Sequence, residues 1–111
     1  MKVCEKKIVN AILTGRRYAD KNNMVDIDTF RNTYRVYLFG HCIATGKVGE
    51  YPSAYSFCGW NSVTTRARLR ALGCDLVKDY RKGTDYVFGV EVTDYYMPFD
   101  NKGKPLNIRY L

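Results

Sequence analysis

Thr33-Tyr34-Arg35-Val36-Tyr37-Leu38-Phe39-Gly40-His41-Cys42-Ile43-Ala44-Thr45 is the stretch whose reading decides the fold class. Tyr34, Val36 and Leu38 alternate with Arg35, Tyr37 and Phe39, so an extended chain here has one apolar and one mixed face. Gly40-His41 supplies a tight turn, and Cys42-Ile43-Ala44-Thr45 returns as a second strand. Residues 54–60 read as a third strand, ending at Gly59-Trp60. Ahead of these three, Val25, Ile27 and Thr29 alternate with acids and predict a half-buried strand over 24–30. Residues 18–23 are polar and loop-like.

Two helices flank the strands. Cys4, Ile8, Val9, Ile12 and Leu13 recur at three- and four-residue spacing, with Gly15 as a C-terminal cap and Arg16-Arg17 at the negative end of the dipole. In Gly59-Trp60-Asn61-Ser62-Val63-Thr64-Thr65-Arg66-Ala67-Arg68-Leu69-Arg70-Ala71-Leu72-Gly73, Asn61 or Ser62 caps a second helix that Gly73 closes. Residues 75–78 lead to a turn at Arg81-Lys82-Gly83, and 86–92 form another strand. The segment 93–111 reads as a C-terminal hairpin or tail turning through residues 100–105. The whole is one domain over 1–111: an α+β fold, an antiparallel sheet of about four to six strands with two helices packed on it, in the order α-β-β-β-α-β.

Charge points to a partner. Eighteen Lys plus Arg against eleven Asp plus Glu give +7. Residues 2–17 hold five bases and one acid, and residues 66–82 hold six bases and two acids, so two segments carry the excess. Such clustering fits a polyanion, most often nucleic acid. Thr65, Leu69, Leu72 and Leu76 make a core stripe, which leaves Arg66 and Arg70 on one flank of the second helix and Thr64 and Arg68 on the other. Ala67 and Ala71 then form a bare strip between guanidinium groups that grip phosphate or carboxylate bidentately. The competing reading is a solvated face whose arginines pair with Asp75, Asp79 or Asp85. No acid lies within the helix at i,i+4 spacing, which favours an external partner. The expected contact set is Arg66, Arg68, Arg70, Arg81 and Lys82, with Thr64, Thr65, Arg16 and Arg17.

The strand–turn–strand 33–44, followed by Gly59-Trp60-Asn61-Ser62-Val63-Thr64-Thr65-Arg66-Ala67-Arg68-Leu69, resembles small proteins of tailed bacteriophages. These carry R-V-Y-L-H-G-N-x-I-A, then G-W-x-T-x-T-T-x-x-R-L, and often a later R-K-G-x-x-Y, to which Arg81-Lys82-Gly83-Thr84-Asp85-Tyr86 is similar. The resemblance covers about residues 33–89 and leaves the first helix and the tail outside. Phe39 stands where that pattern often has His. The resemblance implies phage origin and a role in the host cytoplasm during infection.

Aromatic residues make up 14% of the chain. Tyr37, Phe39, Tyr55, Trp60 and Tyr86 are candidates for rings on a sheet face or edge, where bases stack. Most are expected in the core, and Trp60 is expected as a plug beneath the second helix. Cys4, Cys42, Cys58 and Cys74 show no C-x-x-C spacing, and His41 and Cys42 on a strand point to opposite faces. Buried or half-buried free thiols are expected, and no metal. Asp26 and Asp28 share a strand face and read as solvated rather than cation-binding. One His, three Glu and no H-x-x-E, G-x-S-x-G or phosphate-cradling loop predict no enzyme and no cofactor. No apolar run reaches the roughly 20 residues of a membrane span.

A nucleic-acid binder is therefore expected, acting mainly on phosphates. The alternative is an inhibitor or modulator docking on an acidic host protein surface, such as a defence complex or polymerase, with aromatics like Trp60 or Tyr55 as hot spots. An exposed edge strand would permit a homodimer.

Overall fold

A computed structural model describes all 111 residues. Helix α1 spans Val3–Thr14, and Gly15 ends it in the left-handed region (φ 74°), its N–H donating to the Ala11 carbonyl. The strands are β1 (Tyr18–Ala19), β2 (Asn23–Asp28), β3 (Thr33–Leu38), β4 (His41–Lys47) and β5 (Ala54–Tyr55). Helix α2 follows over Val63–Ala71, then β6 (Leu76–Asp79), β7 (Thr84–Val87), β8 (Val90–Glu91) and β9 (Phe99–Asp100). All pairings are antiparallel. The larger sheet runs β1-β2-β3-β4-β5-β9, and β6-β7-β8 form a second, three-stranded sheet. The fold is α+β as the alternation predicts, with a small extra sheet after α2.

Alternation builds the core. Val25 and Ile27, then Tyr34, Val36 and Leu38, point to one face of the large sheet, and Ile8, Ala11 and Ile12 of α1 cover it beside Leu69 and Leu72. Each large aliphatic side chain so buried stabilises the fold by roughly 1.5–3 kcal/mol. Tyr55 also lies in this core, stacked on Phe99 at 5.9 Å, with its hydroxyl donating to the Leu72 carbonyl at the end of α2. It is thus a core residue rather than a surface ring.

Three two-residue turns share one device. Phe39-Gly40, Cys58-Gly59 and Phe88-Gly89 each put both residues at positive φ; the first and third join paired antiparallel strands, as their twist requires, and Cys58-Gly59 uses the same geometry between β5 and α2. The second of these ends the segment after β5. The 54–60 stretch is not one continuous strand: pairing stops at Tyr55, and the chain reverses at Phe57–Trp60, where the Trp60 N–H donates to the Phe57 carbonyl. This reversal turns Trp60 outward, 62% exposed, instead of plugging it beneath α2. The C-terminal hairpin is shorter than expected, with β9 reaching only an isolated bridge between Phe99 and Pro105. Both edges of the large sheet are two-residue strands, a short ladder for a second chain to join.

Candidate binding site

Helix α2 begins as its sequence requires. Ser62 is the N-cap, its Oγ accepting the Thr65 N–H at 3.1 Å and lying 3.0 Å from the Thr65 hydroxyl. The Thr65 hydroxyl is therefore engaged within the cap, and its side chain is buried. Thr64 is half-buried at the mouth of a cleft described below.

The arginines of α2 do not share one exposed face. The helix is wedged among the large sheet, α1 and the second sheet, and only Val63 and Arg70 along it are exposed. Arg66 is buried and pairs with Asp85 of β7, itself 0% exposed. Asp85 also accepts the Tyr95 hydroxyl at 2.6 Å and the Asn61 side-chain amide at 3.1 Å. Burial alone would push the Asp85 carboxyl up, but the bonds from Tyr95, Arg66 and Asn61 outweigh it and hold the group below its ordinary value. Burial and the bond to Asp85 push the Tyr95 hydroxyl up to about 12. Arg68 is buried against Glu5 of α1 at 3.0 Å. The bare strip between guanidinium groups is thus absent: Ala67 and Ala71 are half-buried, and two of the three arginines serve the interior.

The remaining expected cations are exposed but lie on separate segments. Arg70 donates Nε–H to the Leu76 carbonyl at 3.1 Å from the end of α2. Arg81 and Lys82 occupy the β6–β7 turn, where their N–H groups donate to the Asp79 carboxylate. Arg16 and Arg17 follow α1, with Arg17 3.7 Å from Asp26 and donating to the Ile27 carbonyl. Asp26 also faces Arg35 across the β2–β3 ladder, and Asp28 accepts the Phe30 and Arg31 N–H groups. No three His, Cys, Asp or Glu side chains come together as a metal site.

Sequence reasoning missed a cleft of about 430 Å³ between the β3–β4 turn and the start of α2. Leu38, Ile43 and Phe57 form its apolar floor, and Phe39 and Trp60 stand at its rim, 57% and 62% exposed. His41 lies against Trp60, ring centroids 6.3 Å apart and tilted by 36°. Cys58 contributes to the wall, its thiol donating to the Cys42 carbonyl; burial pushes both thiols up, Cys42 to about 11, so they stay protonated. On the far side of the His41–Trp60 wall lies a second hollow of about 490 Å³ that includes Tyr96, Arg109 and Tyr110. Gly59 makes the junction possible: a Cβ there would fall 2.4 Å from the Tyr96 ring, and its φ is 77°. The signal available in the sequence was Cys58-Gly59, a dipeptide of the same form as Phe39-Gly40.

No curated protein and no solved structure matches the chain. A family model does, over residues 1–105, and this range takes in α1 and most of the tail, which the motif resemblance left outside. Phage origin, expected from the motifs, agrees with that match, and the chain belongs to the Kyanoviridae Gp96 protein family, a bacteriophage family.

Proposed function

We propose that this phage protein binds nucleic acid in the host cytoplasm and performs no chemistry on it, with exposed cations holding the phosphates. One observation carries this reading. Each buried ion pair takes one base and one acid, so the whole excess of +7 stays on the surface. Arg16, Arg17, Arg70, Arg81 and Lys82 are its exposed members from the expected set, and Lys6 and Lys7 on the open face of α1 join them. Arg66 and Arg68 are removed from the contact set because their charges are met inside the protein. The buried Asp85 network, in which Arg66 is met, ties elements together.

Fluorescence anisotropy on labelled DNA and RNA tests the reading at about 50 and 200 mM salt, a range over which several phosphate contacts weaken binding by 10- to 1000-fold. Arg81→Ala/Lys82→Ala lowers affinity for every sequence alike and flattens the logarithmic salt slope by about 2 if both side chains meet phosphates. No binding to any nucleic acid at the lower salt sinks the proposal.

The exposed Trp60 and Phe39 favour a second reading, docking on an acidic surface of a host protein, since such rings commonly anchor interfaces. That reading expects one partner and a shallow salt dependence, with affinity lost mainly on Trp60→Ala.

A further inference from the structure

We propose that the cleft beside Trp60 seats an unpaired nucleobase, which makes single-stranded nucleic acid the ligand in preference to duplex. This rests on the nucleic-acid reading above and adds the form of strand and the residues that recognise it.

The cleft has the size and chemistry for a flat ring. Its volume of about 430 Å³ falls within the roughly 300–1,000 Å³ usual for small-ligand sites, and its floor is aliphatic and aromatic. Two exposed rings, Phe39 and Trp60, stand at the rim, and base–aromatic stacking works for any base because every base has a π-face. In a duplex the bases are already stacked and their faces are closed to such a platform. Arg109 lies in the adjoining hollow, beyond the His41–Trp60 wall, 5.8 Å from the Tyr96 ring centre and 5.9 Å from that of Tyr110. A guanidinium held on rings suits the phosphate next to a seated base. An apolar slot and a cation are therefore separated by a single layer of two rings.

The residue type at a strained turn position makes the second argument. A bulky side chain at positive φ is unfavourable, and such strain gathers where a ligand is held. Phe39, Cys58 and Phe88 are the three residues other than Gly and Asn in that region, at 51°, 53° and 48°. Phe88 has an evident offset, since its ring packs on Tyr55 at 6.1 Å and is half-buried. Phe39 has no such compensation, being 57% exposed at a position where Asn would relax the turn. Both Phe39 and Cys58 line the cleft. The β3–β4 turn sets the φ at Phe39, but it does not call for an exposed phenylalanine there, and a ring beside the apolar slot suits what the slot receives.

Trp60 is the single tryptophan among ten tyrosines, so fluorescence excited at the long-wavelength edge, where tyrosine does not absorb, reports on this site alone. The full chain is titrated with a ten-nucleotide oligo(dT), with oligo(U), and with a DNA duplex of equal length. The expected result is quenching of Trp60 by the single strands and affinity at least tenfold above that for duplex at the same salt. Trp60→Ala and Phe39→Ala each lower single-strand affinity on the order of 10- to 100-fold by anisotropy and leave duplex affinity unchanged. Phe39→Asn does the same while raising the melting temperature by roughly 4–8 °C, because it relieves turn strain. That variant separates lost binding from lost folding. Equal binding of single strand and duplex, without quenching and with Phe39→Asn at full affinity, overturns the base seat but leaves the phosphate reading standing. Absence of binding to all three probes overturns both. Quenching by a protein partner but by none of the nucleic acids transfers the cleft to the docking reading and likewise overturns the base seat.

Discussion

Asp85→Ala leaves a domain less stable by about 3–5 kcal/mol, the usual consequence of stripping one partner from a buried ion pair. A single domain has only about 5–15 kcal/mol in hand, so a large unfolded fraction is expected at 37 °C. The reason lies in what Asp85 joins. It sits on β7 with no exposed surface and receives Arg66 of α2, Asn61 just ahead of that helix, and Tyr95 from the segment leading to β9. Removing it strands a buried guanidinium and frees three segments at once. Tyr95→Phe removes one donor and is milder, about 1.5–3 kcal/mol for a bond to a charged group. Urea unfolding followed by circular dichroism measures both. A loss below about 1 kcal/mol for Asp85→Ala, where burial predicts 3–5, would show that the network does not hold these elements.

The same group sets an acid limit. Asp85 is held below its ordinary 3.8 in the folded protein. A lowered carboxyl contributes stability that is full above the unfolded-state value and is lost as pH falls through the folded-state value. The stability of the wild type therefore declines on acidification below about pH 4, and Asp85→Asn shows a shallower decline there because its own contribution is already absent. Between neutrality and pH 5, neither protein changes through this group.

The elements legible in the sequence are those whose partners are near in the chain. Tyr34, Val36 and Leu38 alternate and are buried on one face; Gly15 and Ser62 end and begin helices through groups a few residues away. Arg66 and Arg68 of α2 were misjudged for the converse reason. Spacing within the helix tests only acids one turn off, whereas Arg66 finds its acid 19 residues on and Arg68 finds its own 63 residues back. Asp85 was among the three acids weighed as partners; Glu5 was not, because only packing of α1 against α2 brings it there. Trp60 was misplaced by running the strand on through Cys58-Gly59 to a junction directly beneath the second helix. Two successive positive φ values reverse the chain at that point and leave Trp60 on the surface. The cleft is legible only once that reversal is known, since its floor comes from β3, β4 and the turn after β5 together.

Glu5 and Arg68 give the second large effect and separate interior arginines from binding arginines. Glu5 performs two tasks: Oε1 accepts the Lys2 N–H at 2.9 Å at the start of α1, and Oε2 accepts Arg68 at 3.0 Å. Glu5→Ala loses both, about 0.5–2 kcal/mol for the cap and about 3–5 kcal/mol for the stranded guanidinium. Glu5→Gln keeps an oxygen for Lys2 and loses mainly the second part. The pair is imperfect, because Arg68 Nε is buried without an acceptor. Replacing both groups by apolar ones is therefore well tolerated: Glu5→Leu/Arg68→Met is expected within about 1–2 kcal/mol of wild type, the remainder being the lost cap. A double-mutant cycle on urea midpoints then returns a coupling of at least about 2 kcal/mol. Net charge is unchanged in the double variant, and no exposed cation is removed. Its affinity for nucleic acid should equal that of wild type at each salt concentration, although an arginine has gone from the most basic helix. A fall of tenfold or more in that folded variant would return Arg68 to the binding surface and contradict its place in the interior.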